Sequence, residues 1–348
     1  MEISVSLGKS ALHILCEVIK GCFYLGRSHA FTKKHLVAAH FPEFATGPTR
    51  IFRFPFPVGF AISISGGSHC GSKPNRDQRT GMKVVAIANQ KGGVGKTTTA
   101  VNLSSALARR GQRTLLIDLD PQANATSGLG VDPDDAIDAS IYDVLLGGAT
   151  LDSKIQSTPH PNLSIIPAEM NLAGVEIELA RMEDHLLILQ NILRKAKKRA
   201  KYDFCIIDTP PSLGVLMTSA LSAADEVLVP LQCEWFGLEG LSKILQVIEQ
   251  IRDSGVNPRL KIEGILMTMY DGRTNLSRKV VQEVKNYFPE WLYRSVIPRT
   301  IRLGEAPSHG KTIFQWDPNG TGSESYDAAA KEFLRRHKLK ALPIKATR

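Results

Sequence analysis

The run KVVAIANQKGGVGKTTT, residues 83–99, constrains this chain more than any other stretch. Residues 83–88 are a short apolar run ending in small residues, the pattern of a buried strand. Residues 90–97 make a glycine-rich loop, and TTTAVNLSSALARR from Thr97 onward has the apolar spacing of a helix. Strand, glycine loop and helix in that order form a phosphate cradle. Gly92, Gly93 and Gly95 let the backbone curl without Cβ clashes, so successive N–H groups can turn onto phosphate oxygens. The positive end of the helix adds to that field. In such a loop Lys96 reaches the β- and γ-phosphates and the Thr97 hydroxyl ligates Mg2+. The general pattern G-x-x-x-x-G-K-[ST] fails at its first position, which is Gln90, and a second lysine, Lys91, stands at the loop entrance.

KGGVGKT with its extra lysine resembles the deviant Walker A loop of the ParA/MinD group of P-loop ATPases. The resemblance implies ATP and Mg2+ as ligands, with Lys91, Gly92, Gly93, Val94, Gly95, Lys96, Thr97 and Thr98 as the loop residues that hold nucleotide. It also implies a homodimer in which Lys91 reaches across to the ATP of the other subunit. Two ATPs are then sandwiched between two loops, and nucleotide is part of the glue.

A chain of 348 residues with 43% apolar content has ample material for a core. Its net charge of +9 is uneven: residues 1–81 hold ten Lys/Arg against four Asp/Glu, a net +6, leaving +3 for the remainder. That modest balance argues against a surface coated in basic residues, though it leaves room for a local patch. Cys16, Cys22, Cys70, Cys205 and Cys233 show no paired spacing, which suggests reduced thiols in a cytosolic protein. No run approaches the roughly 18–20 apolar residues of a membrane-spanning helix.

Residues 1–81 read unlike the rest, with five of the nine histidines and the run RIFRFPFPVGFAISISGGSHCGS. Residues 7–19 could form a short helix, but Pro42, Pro48, Pro55 and Pro57 punctuate the later part of the segment. A targeting segment, an extra regulatory domain and an over-extended reading frame are the competing readings. The last is favoured, because members of the resembled family begin within a few residues of the first strand, which would make Met82 the start. No stable fold is expected in that segment. From Met82 to the end, one ParA-like ATPase domain is expected.

Beyond residue 82 apolar runs and amphipathic stretches alternate, the signature of an α/β, doubly wound, mostly parallel sheet. Strands are expected at 113–118, 163–167, 202–208, 226–231, 261–269 and 294–298. Helices are expected at 141–146, 171–200, 237–254, 275–288 and 326–339. In LLIDLDPQ, Asp118 closes a strand and Asp120 lies in the loop beyond; in CIIDTPPS, Asp208 closes another. Ligands of such sheets bind at the carboxyl ends of strands, so these carboxylates face the glycine loop. By the resemblance, Asp120 orients the attacking water and Asp118 supports the Mg2+ and lysine shell. Asp208 holds Mg2+ through water in a Walker B-like strand, and the following Thr-Pro-Pro senses the γ-phosphate.

Three later segments, CEWFGLEGL, TMYDGRTNLS and VIPRTIRLGEAPSHGK, look like those of ParA/Soj chromosome-partitioning ATPases. The resemblance then implies that Pro298 packs on the adenine and Thr300 bonds the base. It also implies that Arg273 and Arg302 bind double-stranded DNA without sequence preference, since arginine–phosphate contacts give affinity but read no bases. The implied partners are a second copy, bulk DNA and a ParB-like protein that stimulates hydrolysis, in a bacterial cytoplasm on the nucleoid. The rival reading is a MinD-like membrane-associated ATPase. Against it, Phe333, Leu334 and Leu339 are spaced for docking on the domain, and no stable membrane association is expected. An iron–sulfur carrier would need paired cysteines, and a metabolic ligase is disfavoured by the arginine segments.

Overall fold

The computed structural model describes residues 49–53, 61–65, 81–132 and 140–344. The chain divides into two units, Met1–Cys70 and Gly71–Arg348. In the first, Thr49–Arg53 pairs antiparallel with Ala61–Ser65. A lone two-stranded ribbon of this kind is marginal in water. The short helix expected at 7–19 lies outside the described residues.

The second unit is built on eight strands: β1 (Lys83–Ile87), β2 (Thr114–Asp118), β3 (Gln156–Ser157), β4 (Leu163–Ile166), β5 (Phe204–Asp208), β6 (Glu226–Gln232), β7 (Lys261–Tyr270) and β8 (Leu292–Pro298). Their order across the sheet is β8-β7-β6-β1-β5-β2-β4-β3, parallel except for the β3–β4 edge pair. This is the expected doubly wound sheet. β2 and β5 are buried along their whole length, as strands covered on both faces should be. Their register sets Asp118 beside Asp208, and Ile87 of β1 lies beside Asp208 on the other flank. Two carboxylates and the start of the glycine loop therefore meet at one end of three adjacent strands.

Helices cover both faces. α1 (Lys96–Arg109) follows the glycine loop, and α2 (Asn124–Gly128) and α3 (Ile141–Leu145) follow β2. The helix expected over 171–200 is two helices, α4 (Leu172–Ala180) and α5 (His185–Lys198). The break falls at Asp184, whose φ of 57° is left-handed; aspartate tolerates that conformation, and a straight helix does not. α6 (Val215–Ala223), absent from the sequence reading, is buried nearly all round and so carries no amphipathic stripe to betray it. α7 (Trp235–Asp253) and α8 (Asn275–Tyr287) match expectation closely. α9 (Ile301–Glu305) and α10 (Ile313–Trp316) are short, and α11 (Thr321–Arg336) begins five residues before the expected start. Phe333 and Leu334 of α11 are fully buried in the core with Leu103 and Leu107 of α1, so its apolar face is spent on the domain.

At the opposite end of the sheet from the aspartates lies a cluster of titratable side chains. Tyr293 donates its hydroxyl to Glu263 Oε2 at 2.6 Å, while Glu263 Oε1 is buried with no hydrogen-bond partner among the described residues. Burial pushes the Glu263 carboxyl up to about 7 against that bond. Burial also acts upward on Glu226, but His337 at 2.8 Å and Lys83 at 3.0 Å hold it down to about 2. His337 loses basicity to burial and regains more from Glu226, so its net shift is upward. Between pH 4.5 and about 7 the folded chain keeps a proton on Glu263 that the unfolded chain has released, so this residue's contribution falls as pH rises. His337 acts in the same direction: its contribution is complete below its ordinary value and is lost as pH rises through the raised one. The melting temperature should therefore fall from pH 5 to pH 8. Glu263→Gln should flatten that decline and stabilise the chain at pH 8 by roughly 1–3 kcal/mol, read by thermal melts across pH.

Candidate nucleotide site

The loop between β1 and α1 is pinned at both ends. Lys91 N–H donates to Asn89 Oδ1 at 3.0 Å, and the buried Asn89 amide donates to the Pro230 carbonyl at 2.8 Å. Further along, the Thr268 hydroxyl donates to the Val94 carbonyl at 2.8 Å, tying the loop to β7. Gly93 and Gly95 take φ of 71° and 85°, left-handed values that a side chain would strain. Gly95 caps α1 with no side-chain acceptor, so the free N–H groups of the first turn remain available to an anion.

Lys96 is buried at the head of α1, its ammonium 3.3 Å from the Lys91 carbonyl oxygen. Burial pushes its pKa down, and Asp208 and Asp120 pull it partly back. Asp118 is fully buried with both oxygens engaged: Oδ1 accepts Asp120 N–H at 3.0 Å, and Oδ2 accepts the Thr126 N–H and hydroxyl at 2.9 and 2.8 Å. Its carboxylate thereby shapes the loop that carries Asp120. Asp120 is buried too, and its Oδ1 accepts Gln122 N–H at 3.0 Å. Asp208 differs from both, because its two buried oxygens have no hydrogen-bond partner among the described residues. Burial drives its carboxyl well upward and Asp118 adds to this, while the Thr97 hydroxyl and Lys96 oppose it.

An orphaned buried carboxylate beside a half-buried threonine hydroxyl fits a hydrated Mg2+. No three His, Cys, Asp or Glu among the described residues are grouped to chelate a metal alone. Thr97 and Asp208 are the residues that could hold Mg2+, with Asp118 one step behind.

Two clefts open side by side at this end of the sheet. One, about 280 Å3, is lined by Gly92, Lys96, Thr97, Asp120, Asn124 and Pro211 among others. The second, about 240 Å3, is lined by Thr98, Ile297, Pro298, Thr300, Leu303 and Tyr326 among others. Gly95, Thr98 and Met269 border both. The first presents Lys96 and the loop N–H groups to a phosphate, with Asp120 beside them, and the second offers proline and aliphatic walls suited to a flat base. Thr209, buried, donates its hydroxyl to the Ile87 carbonyl at 2.8 Å, so of that Thr-Pro-Pro only exposed Pro211 faces the phosphate cleft.

The sequence reading thus converges in space for the loop, the three aspartates, Pro298 and Thr300. Thr300 also caps α9, its hydroxyl oxygen accepting Arg302 N–H at 3.3 Å. Lys91 lies at the cleft margin, half-buried. Arg273 and Arg302 stand apart, beyond the ends of the neighbouring strands β7 and β8. Arg273 is 90% exposed and bidentate to Asp271 at 2.9 and 2.7 Å; Arg302 is 57% exposed and 3.0 Å from Glu305. Sequence reasoning missed Thr126, Thr268, Asn89 and Met269. Met269 holds a left-handed φ of 50° where the two clefts meet. A hydroxyl eight residues past Asp118 carries no local signal, and Thr268 becomes legible only once β7 is known to run beside the loop.

A family model described as an AAA domain matches residues 82–262. The chain is 50% identical over 250 residues to the sporulation initiation inhibitor protein Soj of Bacillus subtilis, covering 72% of this chain and 97% of Soj. It is 44% identical over 273 residues to the chromosome partitioning protein ParA of Myxococcus xanthus, covering 78% of this chain and 95% of that protein. Among solved structures it resembles cobyrinic acid a,c-diamide synthase from Mycobacterium smegmatis with bound ATP analog and magnesium. The TM-score there is 0.64 at 37% identity, covering 76% of this chain and 99% of the other.

Charge balance in the cleft generates a paired prediction. Asp208→Asn should stabilise the nucleotide-free chain, by roughly 1–3 kcal/mol in thermal melts, because it replaces a carboxyl whose ionisation burial and Asp118 disfavour more than Thr97 and Lys96 favour it. The same change should reduce the extra stability conferred by Mg2+ and ATP, read as the melting shift on adding both. Lys96→Ala should abolish that shift altogether.

Proposed function

This chain belongs to the ParA/Soj family of chromosome-partitioning ATPases, and from that premise we propose that it hydrolyses ATP to drive partitioning of a chromosome or plasmid. The observation that carries the reading is that Lys96, Thr97 and Asp120 line one cleft at the mouth of the glycine loop, with the buried Asp208 carboxylate close enough to Lys96 and Thr97 to feel both. Lys96 and the N–H groups of the loop bind the triphosphate, and the base lies between Pro298 and Thr300. Mg2+ held by Thr97 and Asp208 would supply charge neutralisation at the β- and γ-phosphates. Asp120, held by Asp118 through its own N–H, orients water toward the γ-phosphorus; attack releases ADP and phosphate. Such a site works by positioning and electrostatics rather than covalent chemistry.

A second copy completes the site, with Lys91 reaching the partner's ATP. Support comes from the segments that follow the carboxyl ends of β4, β5, β6 and β8, where large apolar side chains are exposed. Met170 is 82% exposed, Ile177 62%, Phe236 68% and Ile301 78%, with Leu213 and Trp235 about half exposed. Exposed apolar surface of this kind suits burial against another protein. Double-stranded DNA binds through phosphate contacts at Arg273 and Arg302, both on the same sheet edge, and a ParB-like partner accelerates turnover. Joining two subunits doubles the arginines on one rigid body, so DNA affinity rises with ATP and falls after hydrolysis. Against a membrane role, the apolar face of α11 is already buried in the domain.

Asp120→Ala should bind ATP, accumulate as a long-lived dimer and lose most turnover; hydrolysis near wild type would remove Asp120 from the mechanism. Arg302→Glu and Arg273→Glu should keep ATP-dependent dimerisation yet lose binding to unrelated duplexes. Mobility shifts at several salt concentrations, with sedimentation in parallel, check both. Charge-reversed chains that bind DNA with an unchanged salt slope would place the DNA surface elsewhere.

A further inference from the structure

Lys91 is tethered within its own subunit. Its ammonium lies 3.4 Å from Gln232 Oε1 and 3.6 Å from Glu234 Oε2, and the Gln232 amide donates to Glu234 Oε1 at 2.8 Å. Both partners sit where β6 passes into α7. That junction is shaped to receive the loop entrance. A Cβ on Gly240, buried in the second turn of α7, would come within 3.1 Å of Asn89 Oδ1 and 3.4 Å of Lys91 Cβ. Asn89 Oδ1 is the same atom that accepts Lys91 N–H. The backbone, the stem and the ammonium of Lys91 are thus each held from one side.

We propose that Gln232 and Glu234 form a latch that stows Lys91 in the separate subunit and opens when Lys91 crosses to a second copy. The inference rests on the cross-subunit role proposed for Lys91. Glu234 acts through Lys91 and is a positioning residue. Trp235 and Phe236 come directly after it and belong to the exposed apolar segments, so closing these on a second copy works on the turn that carries the latch. The latch sets a threshold: association must break a lysine–carboxylate contact in each subunit, and ATP supplies the replacement. A partly exposed ion pair changes an equilibrium by a factor of roughly two to five. Two independent latches open per dimer, so removing them should tighten the dimer by roughly four- to twenty-fivefold.

The test is sedimentation of the full chain with Mg2+ and a non-hydrolysable ATP analogue over a range of protein concentrations. Glu234→Gln and Gln232→Ala should dimerise at lower concentration than wild type, and Glu234→Asp should restore most of the threshold. The gap between wild type and Glu234→Gln should narrow as salt rises, because screening weakens the latch; a merely structural Glu234 would leave the gap indifferent to salt. If Glu234→Gln and Gln232→Ala dimerise no more tightly than wild type, while Lys91→Ala stays monomeric, the latch is refuted and the cross-subunit role stands. If wild type never dimerises, or Lys91→Ala dimerises as well as wild type, the underlying reading fails and takes the latch with it.

Discussion

Three aspartates and one lysine lie buried together at the carboxyl ends of β2 and β5, and the strand register puts them there. Asp118 and Asp208 are register partners across two strands that are buried end to end. Taking a carboxylate out of water costs several kcal/mol unless partners replace the lost hydration. The chain meets that cost unevenly. Asp118 receives three hydrogen bonds, two from Thr126 and one from Asp120 N–H, so α2 is anchored to β2 through a carboxylate. Asp208 has no such set of hydrogen bonds among the described residues, and only the nearby Thr97 hydroxyl and Lys96 favour its charge. Lys96 stands opposite, itself depressed by burial, and cannot balance three acids alone. Much of the surrounding structure supports this cluster. Asn89 and Thr268 fix the loop that presents Lys96, and Asn102 links α1 to α10 through the Ile313 N–H at 2.8 Å.

What the sequence made legible is what local rules govern. The glycine loop, the strand-end aspartates and the alternation of strands and helices come from spacing and turn chemistry within a few residues. The parallel sheet, with all three aspartates at one end, followed from those alone. Where burial erased periodicity, the reading failed: α6 is apolar all round, and the 171–200 stretch looked continuous because nothing in its composition marks a left-handed Asp184. At the site, the residues that touch phosphate were visible and the residues that hold them were not. Thr268 lies 174 positions from Val94, whose carbonyl it fixes, and only the strand order brings them together. Lys91 is the intermediate case. Its presence was plain in the sequence, whereas its tether to Gln232 and Glu234 depends on where β6 ends beside β1.

The same electrostatic deficit explains why the proposed chemistry calls for more than one subunit and more than ATP. A triphosphate brings further negative charge to a cleft where acids already outnumber the buried lysine, so binding without a counter-ion would worsen the imbalance. A divalent cation beside Asp208 and Thr97 corrects it on one side, giving the orphaned carboxylate the partner that the protein does not supply. In the proposed dimer, Lys91 of a second copy would correct it on the other, at the cleft margin. Each addition is favourable because the cleft is short of positive charge, and neither is favoured as strongly without the nucleotide. Cation, ATP and second subunit therefore reinforce one another by linkage, with no large rearrangement of the sheet required. Hydrolysis and phosphate release remove the charge that held the three together, and the stowed position of Lys91 gives that lysine a place to return to. On the proposed mechanism, the cost of burying these aspartates would make assembly conditional on ATP.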